Sequence, residues 1–130
     1  MRILPLIVIA LVGGQVIQAE EGIANTKEYK GIYKPGFETS TFHPCSSSQI
    51  WWLRVTNVEA AEAIYSGAKV PKFVRVEGAV TTDEELIERS SNGRTRGFGH
   101  LNQYPREIRV SRALEVRPAT QEDLENCRWS

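Results

Sequence analysis

Cysteine and histidine are scarce in this chain, with two of each in 130 residues. A Cys2His2 zinc site would need all four, and the close Cys pairs and close His pairs that mark such sites are absent. Charge of one sign is lacking too: 16 Lys and Arg balance 16 Asp and Glu. A balanced chain projects no field that would gather nucleic acid or an anionic membrane. No nucleophile elbow and no internal repeat occurs, and the glycines at 97 and 99 are not followed by the Lys-Ser/Thr of a phosphate-cradling loop. These absences exclude the best-marked hydrolase, nucleotide-binding and nucleic-acid-binding classes.

What is present begins at the N-terminus. Met1-Arg2 precedes an apolar run from Ile3 to Val12, and Gly13 to Ala19 ends on a small residue. A basic start, an apolar centre and a small residue at the cut are the pattern of an export signal, which predicts cleavage after Ala19 and a mature domain of 111 residues. The competing reading is a membrane anchor. Gln15 and Gln18 interrupt the stretch well short of the ~20 apolar residues that span a bilayer. No Cys stands beside Ala19 to accept a lipid, so a soluble product, periplasmic or secreted, with no stable membrane anchor is expected. In an oxidising compartment Cys45 and Cys127 are most simply a disulfide. Closing so long a loop stabilises by about 4.5 kcal/mol in the chain-entropy account.

One domain follows from the length. A first strand region runs from Gly31 to Phe42, interrupted at Pro35-Gly36, with a bend expected to turn both Phe37 and Phe42 inward. Glu20 to Lys30 reads as a frayed polar lead. Ile50 to Val55 alternates as a second strand, with Trp51, Leu53 and Val55 on one face and Trp52 and Arg54 on the other. Thr56 with Glu59 resembles a capping box opening a short helix, and Gly67 marks its stop. Lys72 to Thr81 is a strand broken at Gly78. Thr82 to Glu85 is a second capping box, opening a single turn through Leu86-Ile87. Ser90 to Gly99 reads as a loop. Arg106 to Arg117 is the last strand, with Ile108, Val110, Leu114 and Val116 in phase and Arg112 out of character unless a bulge sits there. Thr120 to Asp123 is a third capping box, so a helical turn should carry Cys127 and Trp129.

The expected fold is mainly β with one or two short helices, a small, partly open OB-like barrel of the kind that turns corners with bent strands. The helix falls in the usual place in the strand order if the Gly31–Phe42 segment counts as two strands.

Particular residues add a resemblance. Gly31-Ile32-Tyr33, Gly36-Phe37-Glu38, Ser40, Phe42, Pro44-Cys45 and Trp51-Trp52 resemble a family of small exported bacterial envelope proteins of uncharacterised role. Val76-Glu77-Gly78, Gly97-Phe98-Gly99-His100-Leu101 and Tyr104-Pro105-Arg106-Glu107 are similar to that family's second half. The family is remotely similar to the barrel domain of the envelope-stress lipoprotein NlpE. The resemblance covers residues 31 to 117 and implies an envelope location and a barrel, with no catalytic residues to carry over.

Three places are candidate sites. His43-Pro44-Cys45 reads as a structural disulfide corner, as a nucleophile with a nearby base, or as part of a soft-metal site together with His100 or Cys127. Trp51-Trp52 places one ring in the core and the other half-exposed, where Trp52 could stack a ligand or plug a barrel end. The Gly97–Leu101 turn brings His100, with Tyr104 and Arg106 following, as a binding loop or simply a turn. Arginines 89, 94, 96, 106, 109, 112 and 117, beside the acidic cluster 83–88, are either solvated faces of opposite sign or a site for an acidic partner.

Ligand-binding candidates are therefore Trp52, His100, Tyr104 and Arg106, with no metal, cofactor or catalytic residue assigned. The expected role is non-enzymatic: binding an envelope macromolecule or small ligand, or contributing structure, with no nucleic-acid partner. The alternatives are a small-ligand or metal binder using His43, His100 and an exposed Trp, and an enzyme with a Cys45 nucleophile.

Overall fold

A computed structural model describes residues 26–91 and 97–127. The expected export signal, Arg94, Arg96 and Trp129 lie outside these described residues. Five strands form a small OB-like barrel: β1 (Lys27–Gly36), β2 (Thr39–Pro44), β3 (Trp51–Val55), β4 (Lys72–Val80) and β5 (Glu107–Pro118). They join in the order β1-β2-β3-β5-β4, and β4 pairs back onto β1 to close the ring. β3 and β5 run parallel; the other pairs are antiparallel. The three short helices described are α1 (Val58–Tyr65), α2 (Asp83–Ser91) and α3 (Gln121–Asn126).

The Gly31–Phe42 region is two strands, not one bent strand. Gly36 pairs with Thr39, so Phe37 and Glu38 alone form the hairpin turn, with Glu38 in the left-handed region at φ 54°. This corrects the placement of Phe37: at the turn tip it is 88% exposed, while Phe42 is fully buried. The polar lead is also less frayed than its composition implies. Lys27 to Lys30 are the first residues of β1, paired with Gly78 to Arg75 of β4.

Alternation sets the interior. Tyr33, Phe42, Trp51, Leu53, Val74, Val76, Ile108 and Val110 point inward and fill the barrel. Each fully buried apolar side chain of this kind is worth roughly 1.5–3 kcal/mol. β5 keeps this phase only by bulging. Its pairing with β4 skips Ser111, between Val110 and Arg112, and again skips Leu114. Each extra residue reverses the parity. The inward set is therefore Ile108, Val110, Ala113 and Val116, in place of the Leu114 expected from simple alternation. Arg112 is carried outward beside the first bulge, to a salt bridge with Glu77 at 3.5 Å. Gly78 faces this bulge, and a Cβ there would meet the Arg109 carbonyl at 2.5 Å.

α1 closes one end of the barrel with Ala60 and Ile64, one helical turn apart and both buried in the core. Its N-cap is Asn57, whose side chain accepts from Ala60 N at 3.0 Å. Thr56, the residue expected in that role, instead donates both its backbone N–H, at 2.9 Å, and its hydroxyl, at 3.0 Å, to the Val110 carbonyl. The long-range pairing of β3 with β5 holds Thr56 in the sheet, and the cap falls to the next residue. Gly67, at φ 81°, ends the helix as its position suggested. The buried Lys72 ammonium then donates to the carbonyls of Ile64 (2.7 Å) and Ser66 (2.5 Å), placing a cation on the helix C-terminus.

The other two capping boxes form as spaced. Thr82 and Glu85 exchange backbone-to-side-chain bonds, both 3.1 Å, and open a helix of nine residues where a single turn was expected. Thr120 and Asp123 do the same for α3. That helix ends at Cys127, whose disulfide to Cys45 spans 82 residues of chain. Arg117 holds the same segment, bonding Asp123 at 2.5 Å and stacking 4.4 Å over the Phe73 ring.

Candidate functional site

His43 and Cys45 occupy the end of β2, next to the fastened C-terminus. Both Cys45 and Cys127 sulfurs are committed to the disulfide, so Cys45 carries no thiolate in this form of the protein. His43 alternates with inward Phe42 and so faces outward, yet it is only 4% exposed. Burial, reinforced by the charge of Lys34, lowers its pKa to about 4, and the imidazole is neutral at neutral pH. Its Nε2 lies 3.4 Å from the Thr41 hydroxyl. Among the described residues no group of three or more His, Cys, Asp or Glu side chains is arranged to hold a metal ion.

The two tryptophans divide as alternation requires. Trp51 enters the core, with its indole N–H donating to Gln49 at 2.8 Å and its ring meeting Tyr29 edge-on at 5.9 Å. Trp52 faces outward and is half-buried, with the Tyr104 ring 5.5 Å away. The loop from Gly97 to Arg106 makes that second contact. Phe98 and Tyr104 exchange backbone bonds of 2.8 and 3.1 Å, closing the loop on itself. Buried Phe98 lies under the Arg89 guanidinium at 4.5 Å, and Arg89 Nε donates to the Gly97 carbonyl at 2.9 Å. Gly99, at φ 74°, rests on the Trp52 ring so closely that any Cβ would enter it. Trp52 therefore does two things: one part of it seats the loop, and the rest forms the outer surface with Tyr104. Beyond Gly99, Leu101 and Asn102 adopt left-handed backbone (φ 57° and 54°) and Leu101 stands 70% exposed. Non-glycine residues enter that region at a cost of about 1 kcal/mol each.

The four ligand-binding candidates thus separate. Trp52 and Tyr104 come together, and half-buried His100 follows Gly99 on the same loop. Arg106 turns away, donating to the Thr81 carbonyl at 2.9 Å and to Asp83 at 2.5 Å, where it fixes the loop's exit to the start of α2. The other described arginines of the 89–117 run are likewise matched within the chain. Arg109 bonds Glu107 at 2.7 Å and Glu85 at 3.4 Å, the Glu107 bond being the main reason its pKa is raised. Arg117 pairs with Glu115 and Asp123, and its bond lowers the Asp123 pKa to about 2. Among the described residues, Arg106, Arg109, Arg112 and Arg117 are thus held in ion pairs within the chain.

Scanned against known protein families, curated proteins and solved structures, the chain matches none. Geometry alone therefore ranks the sites.

It also adds a place with no sequence signature. Beside α2, at the barrel end opposite α1, Lys27, Tyr29, Ala79, Val80, Thr82, Glu85 and Arg109 line a cleft of about 320 Å³. Tyr29 is shared with a neighbouring cleft of about 330 Å³ that reaches Cys45 and Ser46. These residues come from β1, the β4 end, α2 and β5, so no spacing pattern could have announced them. The one local signal was the β-strand parity of Tyr29, obscured by the polar residues around it.

Proposed function

We propose that this chain is an exported, non-enzymatic binding module of the cell envelope, with its partner-binding face on the outer side of β2 and β3. One observation carries the reading: the Trp52–Tyr104 ring pair stands on the outside of a barrel whose interior is filled by its own side chains. Pairing between strands places Lys34, Thr41, Trp52 and Glu107 in one row across that face. Arg54 lies on the same side of β3 with its side chain 63% exposed, 3.8 Å from Glu107. Aromatic surface flanked by polar groups of both signs suits a neutral or mixed-charge partner, since rigid rings give large contact area at small entropic cost. It does not make the continuous cationic track that a polyanion would require.

Export is supported by the N-terminal pattern and by the disulfide, a bond that persists in oxidising compartments. Among the described residues no helix is long and apolar enough to cross a membrane.

Capture from an envelope extract by the purified protein tests the face. Tyr104→Ser and Arg54→Glu should each lower recovery of the captured species at least tenfold, while Glu62→Arg on α1 leaves it unchanged. Equal capture by all three variants would remove this face from the interaction.

A further inference from the structure

Four of the seven residues lining the cleft at the Tyr29 end of the barrel carry side-chain donors: Lys27, Tyr29, Thr82 and Arg109. Among the described residues the Lys27 ammonium and the Tyr29 hydroxyl have no hydrogen-bond partner. Arg109 uses Nε on Glu107 and Nη1 on Glu85, which leaves Nη2 available. The Thr82 hydroxyl accepts from Glu85 N and so keeps its own proton to donate. Glu85 is the one carboxylate in the lining, and it is already occupied: Oε1 accepts from Thr82 N and Oε2 from Arg109. Arg109 is shared between Glu85 and Glu107, so among the described residues Lys27 is the one lining cation without a carboxylate partner. The floor differs in character. It is apolar, made by Ala79, Val80 and the Tyr29 ring, which is itself propped edge-on against Trp51.

Surplus donors and one unpaired ammonium above an apolar floor fit a particular chemistry. We propose that this cleft binds a small monocarboxylate with an apolar body, such as an acylated amino acid or the C-terminal residue of a peptide. The carboxylate sits between Lys27 and Arg109, and the apolar part lies on Tyr29 and Val80. The Tyr29 phenol is protonated at neutral pH, and burial raises its pKa further, so it is a donor toward the same anion. A dianion is less well matched, because Glu85 stands in the same lining. The cleft adjoins the Trp52 face at Glu107, which bonds Arg109 at 2.7 Å and pairs across from Trp52, but its lining includes neither ring of that face.

Titration of the full-length mature protein with phenylacetate, followed by backbone amide shifts, tests it. Saturating shifts at Tyr29, Ala79, Val80 and Thr82 are expected. Phenylacetamide, the neutral analogue of the same shape, should bind at least tenfold more weakly. Lys27→Met should weaken phenylacetate about tenfold, and Tyr29→Phe, which removes only the hydroxyl, about threefold, both with native spectra. Glu62→Arg, on α1 at the opposite end of the barrel, should leave the titration unchanged. The proposal is overturned if the shifts never saturate, if they centre on other residues, or if the amide binds as well as the carboxylate.

Discussion

Two lysines stand near opposite ends of the barrel and behave differently. Lys72, at the start of β4, is buried and gives its ammonium to two carbonyls at the end of α1. Lys27, at the start of β1, opens into a cleft and bonds nothing among the described residues. The first end is finished: helix, plug and cap satisfy one another. The second is closed by Trp51 and Tyr29 but leaves donors unmatched at its rim. A buried cation such as Lys72 needs its carbonyl partners, whereas exposed Lys27 is hydrated and adds little to stability. The unfinished end, with the outer Trp52 face, is where stability does not account for the residues.

That contrast can be sharpened by experiment, beginning with the covalent tie. Replacing both Cys45 and Cys127 by Ala should lower unfolding free energy by about 4 kcal/mol, the scale expected for so long a closed loop. Urea denaturation measures it. The loss should be accompanied by faster amide exchange in α3 and at the end of β2, with α1 protected as before.

Acidification should act on the same region through His43. Its pKa in the fold, about 4, lies below the unfolded value of about 6.5. The neutral imidazole is therefore compatible with full stability above pH 6.5. Stability falls as pH drops from there to about 4, by about 3 kcal/mol in all. A His43→Gln variant should show a flatter profile over that window. Parallel profiles would mean that His43 takes no part in the acid transition.

At the finished end, Lys72→Met should cost about 2–3 kcal/mol, because it strips a charged donor from two carbonyls of which one is buried. Lys27→Met should stay within about 0.5 kcal/mol, as exposed substitutions do. Equal costs for the two lysines would erase the distinction between the ends. A smaller test concerns the cap of α1. Asn57→Ala should cost about 1 kcal/mol through the lost bond to Ala60 N. Thr56→Val removes only the hydroxyl bond to the Val110 carbonyl and should loosen the junction of β3 with β5, read as faster exchange of the backbone amide at position 56.

Much of the barrel was legible in the chain, and the exceptions have physical causes. The alternation of Trp51, Trp52 and Leu53 placed each ring on its correct face, and the Thr82 and Thr120 capping boxes formed as spaced. These are local rules, satisfied within a few residues. Thr56 and Asn57 are both good caps, and only the reach of Val110 from 54 residues away decides between them. Leu114 and Ala113 exchange places because two bulges on β5 are fixed by its partner strand. Phe37 looked like core by composition but falls in a two-residue turn, where no face is inward. The Trp52 candidate was visible as an outward ring, while the loop that seats on it was not: contact through Gly99 depends on φ 74°, which neighbouring residues do not announce. The Tyr29 cleft was hidden for the same reason, being assembled from four elements far apart in sequence.

The proposed role is tested most directly by site-specific photo-crosslinking in the producing cell. A photoreactive residue at Arg54 or Thr41 samples the outer face, and one at Glu62 samples α1. A discrete envelope adduct from the first two positions and none from the third is the predicted result. Adducts from Glu62 alone, or the same adducts from all three, would contradict a binding face around Trp52 and Tyr104.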